Sequence, residues 1–222
     1  MKRRFYIVLT GVTLALAFSG CTGGQSSEAA NDSSLTELIK DIPTVQYFTD
    51  EEVNDEDIKS ILEAGINAPS GMNGQPWHFS VITDKNILNE IAEDMSSGMP
   101  EEAKAVAQSG GLQKAGIADA PVAIVISLKE DSEFDGGLAC ENMCVMANAL
   151  GYGTKIIASP TIAFNGDKKA EYKEMLGIPD DMEASDVILI GKENKDIDTS
   201  ADGYTEATER NDFDSVVTYV EK

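Results

Sequence analysis

Residues 121–128 read PVAIVISL, eight positions without a charge. A strand of that composition offers no polar face to water, so the sheet it belongs to must be covered on both sides. Residues 186–191 (DVILIG) and 78–83 (HFSVIT) supply further strands. Helical spacing fills the intervals. Asn54 can cap a helix whose Ile58, Ile61, Leu62 and Ile66 share one face, and Pro69 ends it. Residues 138–150 are apolar almost all round, which predicts a central buried helix stopped by Gly151 and Gly153. Ser34-Leu35-Thr36-Glu37 is a capping box opening a short helix that Pro43 stops. Further helices are expected over 86–96, over 101–108, and from about Asp167 through Tyr172, Met175 and Leu176 to Gly177. A polar stretch, 192–210, precedes a last expected strand over 216–220. Helices and strands alternate with no internal repeat, as in one α/β or α+β domain.

The start of the chain reads differently. Lys2, Arg3 and Arg4 precede an uncharged apolar run, 5–18, the pattern of an export signal. The run is shorter than the ~20 residues a spanning helix needs. It ends in Phe18-Ser19-Gly20-Cys21, which resembles a bacterial lipobox with Cys21 as the lipidated residue. Residues 21–34 are small and polar and suit a flexible tether. The expected division is therefore a lipoprotein signal peptide over 1–20, a tether over 21–34 and a folded domain over 35–222. Loss of Lys2, Arg3 and Arg4 takes the net charge from −22 to −25, so acidity belongs to the exported part. A field of that sign repels phosphate backbones and argues against nucleic acid as a partner. Basic patches that would grip anionic lipid are absent, so anchoring falls to lipid on Cys21. One His and three Cys, with no CxxC, exclude the common zinc patterns.

The segment richest in chemistry is 68–79, APSGMNGQPWHF. Two prolines and two glycines shape a loop carrying Ser70, Asn73 and Gln75, whose side chains donate and accept hydrogen bonds. Such a loop suits the edge of a flat heterocycle; equally, it can be a turn that satisfies its own backbone. His78 reads as a hydrogen-bonded structural residue, and Trp77 and Phe79 as core filling. Cys140 and Cys144, four apart, share a helix face as buried core residues or as a redox pair. The acidic runs at 51–57 and 180–183 read as solvated faces and helix N-termini.

The loop resembles the signature A-P-S-x-x-N-x-Q-P-W-x-F of the FMN-dependent nitroreductase family. Thr49-Asp50-Glu51-Glu52-Val53, Ala120-Pro121-Val122, Ala149-Leu150-Gly151-Tyr152-Gly153 and Leu176-Gly177-Ile178-Pro179 resemble other family blocks in order and spacing. The resemblance implies an α+β fold, a central mixed or antiparallel sheet flanked by helices, in an intertwined homodimer. It also implies FMN at the subunit interface, passing electrons through flavin N5 to a nitroaromatic, quinone or similar acceptor. Ser70, Asn73 and Gln75 would lie along the flavin, with the backbone near Ile157, Ala158 and Ser159 close to N5. The family's basic-x-Ser-x-basic phosphate grip corresponds here to Ile42-Pro43-Thr44-Val45-Gln46, which carries no charge. Thr44 and Gln46 remain as neutral donors, with Arg210 as the C-terminal cation. Asp202-Gly203-Tyr204-Thr205-Glu206-Ala207-Thr208 resembles a motif that carries FMN by a phosphoester on its final Thr, with Glu206 in place of Gly. That makes Thr208 a candidate attachment point, or part of a plain polar loop. NAD(P)H is the family's usual donor; for an exported chain a membrane quinone or an exported redox protein is the substitute. Two other readings stay open: a nitroreductase fold that has lost FMN and binds another planar ligand, and a non-catalytic surface lipoprotein.

Overall fold

In the computed structural model, residues 33–97, 116–201, 204 and 209–220 are described. The chain divides into two units, Met1–Ser33 and Ser34–Lys222; apart from Ser33, the description concerns the second. Its elements run α1 (Ser33–Lys40), α2 (Asp55–Ile66), β1 (Trp77–Ile82), α3 (Lys85–Ser97), β2 (Val122–Leu128) and α4 (Glu133–Ala149). They continue with β3 (Gly153–Ile157), α5 (Pro160–Phe164), α6 (Lys169–Leu176), β4 (Glu183–Gly191) and α7 (Phe213–Val216). The strands form one sheet in the order β1-β2-β4-β3, and every adjacent pair is antiparallel.

The apolar run at 121–128 behaves as its composition requires: every residue of β2 is buried. Val122, Ile124, Ile126 and Leu128 face a layer built from Ile58 and Ile61 of α2 and Cys140, Met143 and Cys144 of α4. Ala123 and Val125 face the opposite layer, with Leu88 and Ile91 of α3, Phe164 of α5 and Tyr172 and Leu176 of α6. Strand β4 contributes to both layers, Ile188 and Ile190 to the first and Val187 and Leu189 to the second. The side-chain alternation of a strand thus builds two cores on one sheet. Helix α4 starts earlier than its apolar run suggests. Its first turn carries Gly136, where a Cβ would overlap the Leu128 side chain, so helix and strand lie too close for any other residue. Asn54 caps α2, its side-chain oxygen accepting from Asp57 N at 2.8 Å.

Several expectations are corrected. Residues 216–220 do not form a strand: Phe213–Val216 is a single helical turn, and the residues after it are exposed and unpaired with the sheet. A strand exists only through a neighbour's hydrogen bonds, and β-propensity alone does not supply one. Gly153, read with Gly151 as the stop after the central helix, opens the edge strand β3. Ile66, expected on the apolar face of α2, is about half exposed. The helix expected over 101–108 lies outside the described residues. No helix among the described residues is long and apolar enough to cross a membrane.

Candidate functional site

The loop after α2 is built from unusual backbone. Met72, Asn73 and Gln75 have φ of 50°, 57° and 46°, a left-handed conformation costing L-residues roughly 1–2 kcal/mol each. Asn tolerates it best; Met and Gln do not. Two anchors hold the loop. Ser70 Oγ accepts from Gln75 N at 3.0 Å, and the Asp135 carboxylate in the first turn of α4 accepts from Gly71 N at 3.1 and 3.2 Å. Ser70 therefore serves the turn itself. The Asn73 side chain is exposed and makes no hydrogen bond among the described residues, and Gln75 Nε2 reaches only Asn73 O at 3.4 Å. A strained loop whose polar groups face outward is the form a ligand-binding segment takes. Trp77 and Phe79 stack at 6.2 Å, half-buried beside the α2/α4 core. His78 is half-buried and, contrary to expectation, its ring makes no hydrogen bond among the described residues.

The second part of the site lies at the β3 edge. Thr44 forms a parallel bridge with Thr154, and Val45 N donates to Thr154 O at 2.9 Å. Val45 is 2% exposed, and its methyl groups occupy the place a Cβ on Gly153 would take. The segment after α1 is thereby pressed against the sheet edge. Above it opens a cavity of about 290 Å³ walled by Lys40, Thr44, Glu141, Cys144, Thr154 and Arg210, among others. Thr44 and Arg210, expected together at a phosphate, do share one cavity; Gln46 lies outside its lining. Lys40, in the last turn of α1, is the residue sequence reasoning missed. Its signal was a cation four residues before Thr44, just outside the motif window.

Further along the same edge come Ala158 and Ser159, both exposed. The four residues from Thr154 to Ala158 span about 13 Å of strand. Ser159 lines another cavity, of about 560 Å³, with Asp94, Met95, Ile162, Lys168 and Tyr172. There the Asp94 carboxylate accepts from Lys168 Nζ at 2.6 Å and Tyr172 Oη at 2.8 Å. Those bonds, Lys168 first, hold the Asp94 carboxyl below its ordinary range, and the same bond raises Lys168. Burial and then the bond to Asp94 push the Tyr172 phenol up.

Ser70, Asn73 and Gln75 line none of these cavities, so within one chain the loop and the edge cavity remain two separate half-sites. Helix α4 links them: Asp135 anchors the loop, and Glu141, six residues or roughly 9 Å along the helix, walls the cavity. Cys140 and Cys144 are free and buried. The hydrogen bond between them, followed by burial, raises the Cys140 thiol, whereas the same bond lowers Cys144. Cys21 and Thr208 lie outside the described residues. Tyr204 is described, and its ring stacks on Tyr47 at 5.8 Å and 12°. Two described residues on either side of Thr208, Tyr204 and Arg210, meet the 44–47 segment or its cavity. No cluster of three or more metal-ligating side chains occurs among the described residues.

The family model described as "Nitroreductase family" matches residues 43–192. The chain belongs to the nitroreductase family. The matched span contains the left-handed loop, Thr44 and the whole sheet. A candidate NADH dehydrogenase/NAD(P)H nitroreductase from Archaeoglobus fulgidus is 28% identical over 169 residues, covering 73% of this chain and 90% of that relative. A nitroreductase with bound FMN from Desulfitobacterium hafniense has a TM-score of 0.69 at 26% identity, over 84% of this chain and 98% of that one. Another with bound FMN, from Bacteroides fragilis, has a TM-score of 0.70 at 22% identity, over 84% and 98%, and shows the shared fold. The α+β nitroreductase architecture expected from the signature loop is the one observed, with a wholly antiparallel sheet.

Proposed function

We propose that this chain is an FMN-dependent oxidoreductase, exported and held at the membrane by lipid on Cys21, acting as a homodimer. The observation that carries the flavin reading is the β3-edge cavity, which gathers Thr44 and Arg210 in a chain of this family. Its volume is near the lower end of ligand clefts, about 300–1,000 Å³, and suits the phosphate end of the cofactor rather than the whole of it. Bound FMN supplies two-electron chemistry at N5 toward a nitroaromatic, quinone or similar acceptor; the rest is positioning by the protein. Thr44 would donate to phosphate, while Gln46 stands outside that cavity. The Ala158–Ser159 backbone stands further along the same strand line, where the ring would lie. Ser70, Asn73 and Gln75, outside the cavity of their own chain, would reach the ring of the other subunit's flavin. That arrangement requires two copies, and the exposed Phe213, Val216, Tyr219 and Val220 offer the apolar surface for a second chain to cover.

The electron donor is NAD(P)H or, for an exported protein, a membrane quinone or an exported redox protein. Attachment of FMN to Thr208 is supported by the contact of Tyr204 with Tyr47 and by Arg210 in the cavity beside Thr44. The test is the absorption spectrum of protein purified from its own host, before and after denaturation and filtration. Flavin bands near one per chain support the oxidoreductase. Colour retained on the polypeptide supports attachment, and colour in the filtrate refutes it. Colourless protein that ignores added FMN removes the enzyme reading and leaves a flavin-free binding or surface role.

A further inference from the structure

The motif position that should grip phosphate carries Ile42 and Gln46 where the family pattern has two basic residues. A dianion placed there would meet no charge from that segment, in a chain whose net charge is −22. The cavity, however, contains cations from elsewhere. Lys40 stands at the end of α1, Arg210 enters from the C-terminal side, and the one carboxylate on the wall is Glu141. Lys155 also lines the cavity, its ammonium 3.9 Å from the Asp119 carboxylate; with that pair counted as neutral, Lys40, Arg210 and Glu141 leave the cavity one positive charge.

Local charges outweigh the distant ones. The interaction of two unit charges weakens with distance, and charges beyond ~8 Å are largely screened at physiological salt. The acidic surface therefore affects a ligand in this cavity far less than Lys40, Arg210 and Glu141 do. We infer that Lys40 and Arg210, facing Thr44 across the β3-edge cavity, hold the flavin's phosphate, and that Glu141 opposes them. The positive charge missing from the flanks of Thr44 is supplied by Lys40 at the end of the preceding helix, beside the C-terminal cation Arg210 that the resemblance already implies. The inference rests on the flavin reading and adds a sign to each wall residue. Arg210 can bond phosphate through two N–H groups at once, whereas Lys40 acts as a point charge.

The test uses the full-length chain carrying Thr208→Val, so that no phosphoester can form, stripped of flavin and titrated with FMN and with riboflavin by flavin fluorescence. FMN is expected to bind more tightly than riboflavin, with an advantage that shrinks as salt rises. Lys40→Ala and Arg210→Ala are each expected to weaken FMN by about tenfold or more and to leave riboflavin unchanged. Glu141→Gln is expected to tighten FMN, a change of opposite sign that simple loss of packing would not produce. Equal binding of the two flavins, or an FMN preference that survives both cation variants, overturns the inference while the flavin reading stands. Binding of neither flavin overturns both.

Discussion

The contact between Val45 and Gly153 offers a direct test of how the site is held. A Cβ at position 153 would occupy the volume of the Val45 methyl groups, so Gly153→Ala sets two apolar groups in competition for one space. Overpacking of this kind costs about 1–3 kcal/mol. Opposing it is what attaches the segment: burial of the Val45 side chain, about 1.5–3 kcal/mol, and the Val45 N–H bond to Thr154 O, about 1 kcal/mol. The attachment, about 2.5–4 kcal/mol in all, is matched only by the upper end of the overpacking cost, so the strain should loosen the segment on β3 rather than make the sheet fail. In a domain of this length each kcal/mol lost lowers Tm by about 2–4 °C. Amide exchange at Val45 should accelerate selectively, while β2 amides stay protected, and FMN affinity should fall because Thr44 moves with the segment. Val45→Ala in the same chain reopens the space; the double variant should be more stable than the sum of the singles by about 0.5–3 kcal/mol. Unchanged melting and unchanged Val45 exchange in Gly153→Ala would refute the reasoning.

Asp135→Ala removes the acceptor of Gly71 N and should cost the loop at least ~1 kcal/mol of anchoring, seen as weaker FMN binding with little change in Tm. Asp94→Asn tests the bridge to Lys168 and Tyr172. The depressed carboxyl contributes stability that is present above its ordinary value near 3.8 and lost as pH falls through its lowered one. Urea titrations should thus show a deficit for the variant at pH 7 that closes as pH falls below the ordinary carboxylate range; a deficit independent of pH would sink this account. Cys21→Ser should move the protein from the membrane fraction to the soluble one and remove the acyl mass from its N-terminal peptide.

How far the fold could be read from residues depended on whether a segment's signal was local. Strand β2 and helix α2 were legible because continuous apolarity and an Asn cap with an apolar face are complete statements in themselves. Strand β3 was not: GTKII has β-branched residues, but its first glycine reads as a helix stop, and only β4 on one side and Thr44 on the other make it a strand. The reverse error occurred at 216–220, where valines suggested a strand that no sheet edge among the described residues receives. At the site, the 70–75 loop was visible from its Pro, Gly, Asn and Gln, although not its three left-handed residues, which nothing short of the anchoring carboxylate of Asp135 explains. Lys40 escaped because its importance is three-dimensional: it belongs to the cavity through the end of a helix, not through a motif.

The bridge at Thr44 has a bearing on solubility as well as on ligand binding. A sheet border with free N–H and C=O groups invites another chain to add on, and here the short 44–45 stretch plugs that border. On the proposed function the same stretch would hold a donor toward the cofactor, so an occupied pocket would help keep the plug seated by mass action. Preparations starved of flavin should therefore clump sooner on warming than those kept saturated, and the clumping should begin at this border.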